Sequence, residues 1–233
     1  MAELAFGIAA FAACAPEPGD EPAVRWPWQA DAAKPLPMLL RRRVGPIGQA
    51  ALRAAWALPS VDCARLVFAS RHGEFDRTLA MLEQIVDQDG PSPADFSLGV
   101  HNALAGLLSV STRNRAGHIA LAAGIDSFGF GLMESAACLL EQPEQPVVLV
   151  YYDADLPSGY PDMVPARAET TLALALVLAP PHQASRRVVM AAAPVSNVQP
   201  GEAAASVFLR FLQRTEPHAS ATGARMRWDW RHV

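Results

Sequence analysis

The feature that most constrains this chain is an alternation between short apolar runs and longer segments whose apolar residues recur at helical spacing. Such runs predict buried strands, and apolar residues three or four positions apart predict helices packed on them. The predicted strands are residues 4–13, 64–70, 118–124, 147–152 and 171–178, and the predicted helices are residues 39–58, 75–86 and 126–140. The resulting β-α-β-α-β-α-β-β order predicts an α/β fold with a mixed, largely parallel sheet and helices on its faces.

The segment after residue 180 has a weaker pattern. It predicts a strand at residues 188–192, a helix at 203–213 and an edge strand or docked tail at 226–230. We therefore expect one domain over residues 1–180 and a C-terminal extension, residues 181–233, packed on the same domain. The WPW and WDW motifs at residues 26–28 and 228–230 are docking elements or plugs over the chain's own core, and plugs are the expected use because aromatic residues are normally buried.

Composition excludes several classes of protein. The chain has 233 residues, 51% of them hydrophobic, which is enough for a full core. With 18% charged residues and a net charge of -4, it has no basic field for nucleic acid or for a membrane surface. No apolar stretch reaches the length of a membrane span, and the first run has no Lys or Arg before it, unlike a signal peptide. We expect a cytoplasmic protein without a nucleic acid partner.

Cysteine and histidine placement predicts no metal, and the glycines predict no nucleotide cofactor. The three cysteines form no CxxC pair, and the histidines after residue 110 lack the spacing of metal ligands. The glycines at 124, 129 and 131 lack the spacing of a dinucleotide fingerprint. Ser70, His72 and Glu74 lie too close together in sequence to converge as a hydrolytic triad.

Three segments resemble β-ketoacyl synthases of the thiolase superfamily. Residues 41–58 (RRRVGPIGQAALRAAWAL) are similar to an early helix of these enzymes, and residues 70–75 (SRHGEF) to a strand that ends in a glycine-containing turn. Residues 92–110 (SPADFSLGVHNALAGLLSV) are similar to the stretch before the nucleophile strand, with the Asn-x-x-Ala-Gly pattern at 102–106. Up to about residue 180 the chain resembles stand-alone N-terminal domains of this family, of the chain length factor-like type found in aryl polyene and xanthomonadin-type pigment synthesis. The resemblance implies a thiolase-like half-fold.

The resemblance also implies a nucleophilic cysteine at the turn between the third strand and the next helix, where the helix N-terminus lowers a thiol pKa. That position falls at Ile125 or within one residue of it, and neither Gly124 nor Asp126 is a cysteine. Isoleucine cannot form a thioester. The sequence also has no HGTGT or NxxFGFGG motif, because the FGFG at 128–131 lies inside the predicted third helix, where Cys138 is expected to be a core residue. We therefore predict a pseudoenzyme.

Relatives of this family pair edge to edge at the strand that corresponds to residues 118–124. The resemblance therefore implies a heterodimer with an active ketosynthase, and contact with acyl carrier protein through that partner, in type II polyketide or fatty acid-like aryl polyene synthesis. Such a partner, or the residues after 180, would have to cover the apolar helix at 127–140. The candidates for an acyl cavity or partner interface are His101, Asn102, Leu107, His118 and Phe128.

Two alternatives stay open. His101 and Asn102 could serve only to hydrogen-bond loop backbone. The chain could also be an acyl-thioester hydrolase or transferase that uses Ser127 with His101, or a homodimeric acyl-binding module. Hydrogen-bond reach between Ser127 and His101, together with a third orienting group, would be required for the enzyme.

Overall fold

A single mixed sheet of nine strands runs through the described part of the chain. The structure is a computed structural model and describes residues 3–14, 24–26, 37–87, 90–157, 160, 171–197, 199, 201–214 and 216–233. The strands are β1 (Glu3–Cys14), β2 (Val24–Trp26), β3 (Arg65–Ala69), β4 (His118–Leu121), β5 (Val147–Asp153), β6 (Leu172–Ala179), β7 (Arg186–Pro194), β8 (His218–Thr222) and β9 (Met226–His232). The helices are α1 (Met38–Arg41), α2 (Pro46–Trp56), α3 (Phe75–Val86), α4 (Pro93–Gly99), α5 (Ala103–Thr112), α6 (Ser127–Glu141) and α7 (Ala204–Arg214).

The strands follow the order β4-β3-β5-β6-β1-β7-β9-β8, and β2 pairs with β1 beside this path. The parallel core consists of β4, β3 and β5, in which β3 pairs in parallel with both neighbours. From β5 onward the pairs are antiparallel. The predicted α/β class with a mixed sheet is confirmed, and its antiparallel part is larger than the element order suggested. Because β7 pairs with β1, the segments before and after residue 180 share one sheet.

The first core lies between the sheet and helices α2 and α5. Small residues dominate the buried face of α2, which lets it lie close to β1, β5 and β6. Helix α5 contributes Leu104 and Leu108 and covers β3 and β4. The continuous apolar runs of β5 and β6 are buried on both faces of the sheet, as expected for central strands between two helical layers.

The second core lies on the opposite face, under α6 and α7. Phe128 of α6 is only 1% exposed, and its ring contacts Tyr151, Phe208 and Trp230. Trp228 and Trp230 alternate with Asp229 along β9, so both indoles point to this face and both are buried. Residues after 180 therefore cover α6. These two tryptophans plug the chain's own core, while Trp28 lies outside the described residues.

Helix α2 begins later than predicted. The apolar spacing predicted a helix over residues 39–58, whereas the short α1 ends at Arg41 and α2 starts at Pro46. Proline has no N–H and fixed φ, so it is favoured in the first turn of a helix and excluded from the interior. Gly45 before it is extended, with φ -70° and ψ 175°.

Three further elements differ from the sequence prediction. β4 stops at Leu121, because the chain turns at Gly124, which has φ +61°. β9 was predicted as an edge strand or a docked tail, but it lies between β7 and β8. The edge is formed by β8, which the sequence analysis missed because this strand is short and partly polar. Residues 93–112 were not predicted as helical, yet they contain α4 and α5, and α4 has no buried residue, with Phe96 and Val100 exposed. In the described part of the chain, no helix combines the length and apolar character needed to cross a bilayer.

Two helical glycines provide a matched test of this packing. A Cβ at Gly129 would overlap the Trp228 indole, whereas a Cβ at Gly106 would meet nothing within 4 Å. We expect Gly129→Ala to lower the free energy of unfolding by about 1–3 kcal/mol, because overpacking a dense core is costly. Gly106→Ala is expected to raise it by up to about 1 kcal/mol through helix propensity. Denaturant unfolding of the two variants measures both effects, and equal values would contradict the packing of β9 on α6.

Candidate functional site

The carboxyl ends of β4, β3 and β5 meet at one edge of the sheet, because these strands are parallel neighbours. Binding crevices in α/β sheets form outside such ends. Three pieces of chain meet here: the turn at residues 122–127 after β4, the segment at 70–74 after β3, and Asp153 at the end of β5. This edge is the candidate functional site.

The turn after β4 is closed by its own hydrogen bonds. The Asp126 and Ser127 amides donate to the carbonyls of Ala123 and Gly124 over 3.3 and 3.1 Å. The Ser127 hydroxyl accepts from the Ala123 amide at 2.9 Å and donates to the Gly124 carbonyl at 2.7 Å. Gly124 is exposed and Ile125 is half-buried. The turn therefore has no thiol, its one hydroxyl is bonded within the turn, and the amides of Ala123, Asp126 and Ser127 also donate within it.

The thiol nearest in sequence belongs to Cys138, about three turns along α6 from its start, and it is buried. It donates to Glu134 Oε1 over 3.7 Å, and burial is the main cause that raises the pKa of the thiol. A buried, protonated thiol is a poor nucleophile. Cys138 is therefore a core residue.

Asp126 carries a role that the sequence did not reveal. It is the N-cap residue of α6, but its side chain makes no capping hydrogen bond to this helix. Instead the fully buried carboxylate accepts from the Trp228 indole N–H at 3.1 Å and from the Arg225 amide at 3.0 Å. Both donors lie about a hundred residues away in sequence, so no local signal could have identified them.

Asp153 holds the segment after β3. Its carboxylate accepts the amides of Arg71 and His72 at 3.3 Å each and the Tyr151 hydroxyl at 3.2 Å. Burial raises the pKa of Asp153 to about 6 and also raises the pKa of Tyr151. The sequence prediction ended this strand at Tyr152 and missed Asp153. An acidic residue directly after a buried run, at the carboxyl end of a parallel strand, was the available signal.

Ser70, His72 and Glu74 do not act together. The Ser70 hydroxyl accepts the Gly73 amide at 2.7 Å, and Glu74 Oε1 accepts the Gly45 amide at 2.5 Å. Burial raises the pKa of Glu74 and lowers that of His72 to about 4, the latter with help from the positive charge of Arg71. Each side chain therefore serves a different contact. In the described part of the chain, no group of three acidic, histidine or cysteine side chains is placed to bind a metal ion.

Comparison with known proteins identifies the family. The sequence profile of the β-ketoacyl synthase N-terminal domain matches residues 16–231, which is most of the chain. The chain belongs to the β-ketoacyl synthase N-terminal domain family. The resemblance in sequence is therefore confirmed, although no curated protein sequence matches the chain.

Solved structures agree with this family assignment at the level of the fold. A chain from the ketosynthase (ApeO) in complex with its chain length factor (ApeC) from Xenorhabdus doucetiae superposes with a TM-score of 0.80 at 24% identity, over 98% of this chain and 99% of that one. A β-ketoacyl synthase from Burkholderia phymatum gives a TM-score of 0.55 at 11% identity, over 84% and 65%. The AntDE:AntF complex, an acyl carrier protein with its ketosynthase, gives 0.58 at 13%, over 82% and 69%. The thiolase-like fold predicted from the sequence is confirmed.

The predicted site residues of this ketosynthase-like chain do not share one location. His118 is exposed at the start of β4, Asn102 is exposed before α5, and Leu107 is half-buried on α5. The His101 ring lies 3.3 Å from the Ser70 carbonyl through Nε2, which fits the alternative that it bonds loop backbone. Phe128 lies in the chain's own core, and its burial leaves no exposed face for a partner. Gly124 and Ile125 stand in the turn after β4.

Asp153 predicts a pH dependence of stability. Because burial raises its pKa from 3.8 to about 6, the folded state is favoured while this group is protonated, and that contribution is lost as pH rises through 6. The difference of about 2 pKa units corresponds to about 3 kcal/mol. We expect the free energy of unfolding of Asp153→Asn, relative to wild type, to rise by up to this amount between pH 4 and pH 7.

His72 is expected to show the opposite pH dependence of stability and serves as a control for Asp153. Its pKa is lowered from 6.5 to about 4, so its neutral form favours folding, and this stability is lost as pH falls from 6.5 toward 4. His72→Gln should therefore gain on wild type as pH falls, and Asp153→Asn as pH rises. Urea unfolding across this pH range measures both slopes. A difference between Asp153→Asn and wild type that does not change with pH would contradict a raised pKa at Asp153.

Proposed function

We propose that this chain is a non-catalytic, chain length factor-like subunit that pairs through β4 with an active β-ketoacyl-ACP synthase. The observation that carries the proposal is an unpaired edge strand with an apolar helical row on each face of the sheet beside it. The shared length and fold with one chain of the ApeO–ApeC complex support this assignment. The pathway we propose is type II polyketide or fatty acid-like synthesis of the aryl polyene kind.

Strand β4 is free to pair on one side. Among the described strands it pairs only with β3. The carbonyls of Gly117 and Leu121 accept the amides of Leu66, in β3, and of Ser70, directly after it, at 3.1 and 3.2 Å. Backbone groups alternate in direction along a strand, so the N–H and C=O groups of His118 and Ala120 point to the open edge. An open edge of this kind is a template for another strand.

Helix α5, which covers β3 and β4, and helix α6, which lies on β3 and β5 on the opposite face, each carry an apolar row that is partly exposed to solvent. On α5 the row consists of Ala103, Gly106, Leu107 and Val110, and on α6 it consists of Met133, Ala137 and Leu140. Residues three or four apart lie on one face of a helix. Val110 is 80% exposed and Leu140 is 63% exposed. A strand joining β4 from a partner would bring the partner's own helices against these two rows.

The chemistry of the turn supports a role without catalysis. Acyl transfer by a ketosynthase needs a thiolate and free amide donors for the oxyanion. The turn has Ile125 and Gly124 at the corresponding place, and the Asp126 and Ser127 amides donate to its own carbonyls. The acyl chain, carried on acyl carrier protein, would therefore react in the partner. We propose that His101, Asn102 and Leu107, near the start of α5, help to shape the cavity for that chain.

The hydrolase or transferase alternative has little support from the geometry. The Ser127 hydroxyl donates a hydrogen bond to the Gly124 carbonyl, and the serine is buried. The Nε2 atom of His101 lies against the Ser70 carbonyl instead. Since a serine nucleophile must be hydrogen-bonded to its base, this pair lacks the arrangement that the reaction requires.

If β4 pairs with the ketosynthase, substitutions at its open edge should weaken binding of the ketosynthase without unfolding the chain. Ala120→Pro removes one N–H from the open edge and none from the ladder with β3, so we expect the fold to persist while binding to the cognate ketosynthase weakens by about tenfold or more. Val110→Asp and Leu140→Asp test the two rows in the same way. Dissociation constants from calorimetry, with unfolding curves for each variant, measure the effect.

The matched control is Val233→Asp. Val233 is 59% exposed, like the tested residues, but it follows β9 near the other end of the sheet. It should leave the dissociation constant unchanged. If the wild-type chain binds no ketosynthase and instead sediments as a homodimer that Ala120→Pro disrupts, the homodimeric binding module replaces the proposal.

The length of the acyl products tests whether Leu107 helps to shape the acyl cavity. We expect Leu107→Trp to shorten the acyl products of the reconstituted complex, because a larger ring on α5 would reduce the room for the chain, while Leu107→Ala should not shorten them. Mass spectrometry of the acyl groups on acyl carrier protein measures the distribution. An unchanged distribution in a complex that still binds Leu107→Trp would remove Leu107 from the cavity. Condensation by the isolated wild-type chain would end the pseudoenzyme proposal.

A further inference from the structure

Asp126 joins two parts of the molecule that are far apart in the sheet. Its carboxylate binds the hairpin formed by β8 and β9, which lies at one end of the strand order, while its backbone belongs to the turn after β4, at the other end. Five strands separate β4 from this hairpin along the sheet. The carboxylate connects them directly at the start of α6.

The contact is close, and the carboxylate itself is buried. Oδ1 accepts the Trp228 indole N–H and Oδ2 accepts the Arg225 amide, so both oxygens of the buried carboxylate have partners in the hairpin. Gly223, between β8 and β9, has no room for a Cβ against this carboxylate. Gly129 has none against the Trp228 ring. Because the hairpin approaches this closely at two glycines, small movements of either part are resisted.

Apart from Phe128, which follows it in α6, the turn has few other anchors in the core. Ala122 and Gly124 are exposed, and Ile125 is half-buried. The hydrogen bonds of Ser127 and of the Asp126 amide are internal to the turn, so they fix its shape but not its position. The Asp126 side chain ties the turn to the hairpin. Since the turn begins directly after Leu121, its position also bears on the end of β4.

We propose that Asp126 is a positioning residue, through which the β8–β9 hairpin holds the turn at residues 122–127 and keeps β4 in the conformation that pairs with a partner. The first part concerns this chain alone. The second part rests on the proposed function. In this view the turn that carries the nucleophile in catalytic relatives is here a joint between the C-terminal hairpin and the open edge.

The two tryptophans of β9 make a matched test. Trp228 donates its indole N–H to Asp126, whereas the Trp230 indole N–H has no hydrogen-bond partner within the described structure. Both are fully buried on the same face of the strand. Trp228→Phe and Trp230→Phe therefore remove similar volume, but only the first removes a donor to the carboxylate.

Hydrogen exchange of the purified chain is the measurement. We expect Trp228→Phe to speed exchange of the amides in residues 121–127 by about tenfold or more, as for loss of a hydrogen bond to a charged group. Trp230→Phe should change it by less than about twofold beyond its effect on global stability. Equal acceleration by both variants, or none by either, overturns the proposal.

A second variant and a second readout separate the two parts. Asp126→Asn puts an amide group beside the donating Arg225 N–H, so it should also speed exchange in the turn. With a cognate ketosynthase, Trp228→Phe should weaken binding by about fivefold or more at a temperature where both variants are fully folded, and Trp230→Phe should not. Equal binding by the two variants overturns the link to β4. Absence of binding by wild type overturns that link and the proposed function together, while the exchange comparison still decides the first part.

Discussion

The packing of α6 between the sheet and the C-terminal segment is the contact on which the rest of the structure depends. Phe128 sits at its centre, with rings from β5, α7 and β9 around it. On the sheet side, Gly131 lets the helix approach to where an added Cβ would lie 2.7 Å from Ala69 Cβ. Burial of such large aromatic surfaces is the main driving force for folding. It makes residues before and after 180 parts of one core.

This packing also supports our proposal that the turn after β4 is a structural joint. The first turn of α6 is held by aromatic residues on one side and by the Asp126 contacts on the other. Polar groups that a catalytic turn would keep available are satisfied within the protein, as buried polar groups normally are. In our proposal, the groups that bind a partner are therefore not at the turn. They are the backbone of β4 and the apolar rows of α5 and α6.

On the side of the candidate site formed by β3 and β5, polar side chains are also satisfied within the protein. Asp153, Ser70 and Glu74 are each used to hold a neighbouring backbone amide. The cost of burying these carboxylates appears as raised pKa values for Asp153 and Glu74. Side chains that look like a reactive set in sequence thus organise the segment after β3. Comparison with ketosynthase structures supports this fold, and the partner role proposed here rests on the edge strand.

Local patterns were sufficient for much of this protein. Helix α3 was predicted at residues 75–86, and β5, β6 and α6 lie within two residues of their predicted ends, because each has a strong apolar periodicity bounded by breakers. The absence of a thiol at Ile125 also follows from sequence, since side-chain identity alone excludes a thioester there. By contrast, the place of β9 inside the sheet, the burial of Phe128 and the bonds between Asp126 and the hairpin were decided only by tertiary structure. The bonds of Asp126 and the contacts of Phe128 with Phe208 and Trp230 join residues about 80 to 100 positions apart, and no local pattern records which distant donor or ring will meet a given side chain.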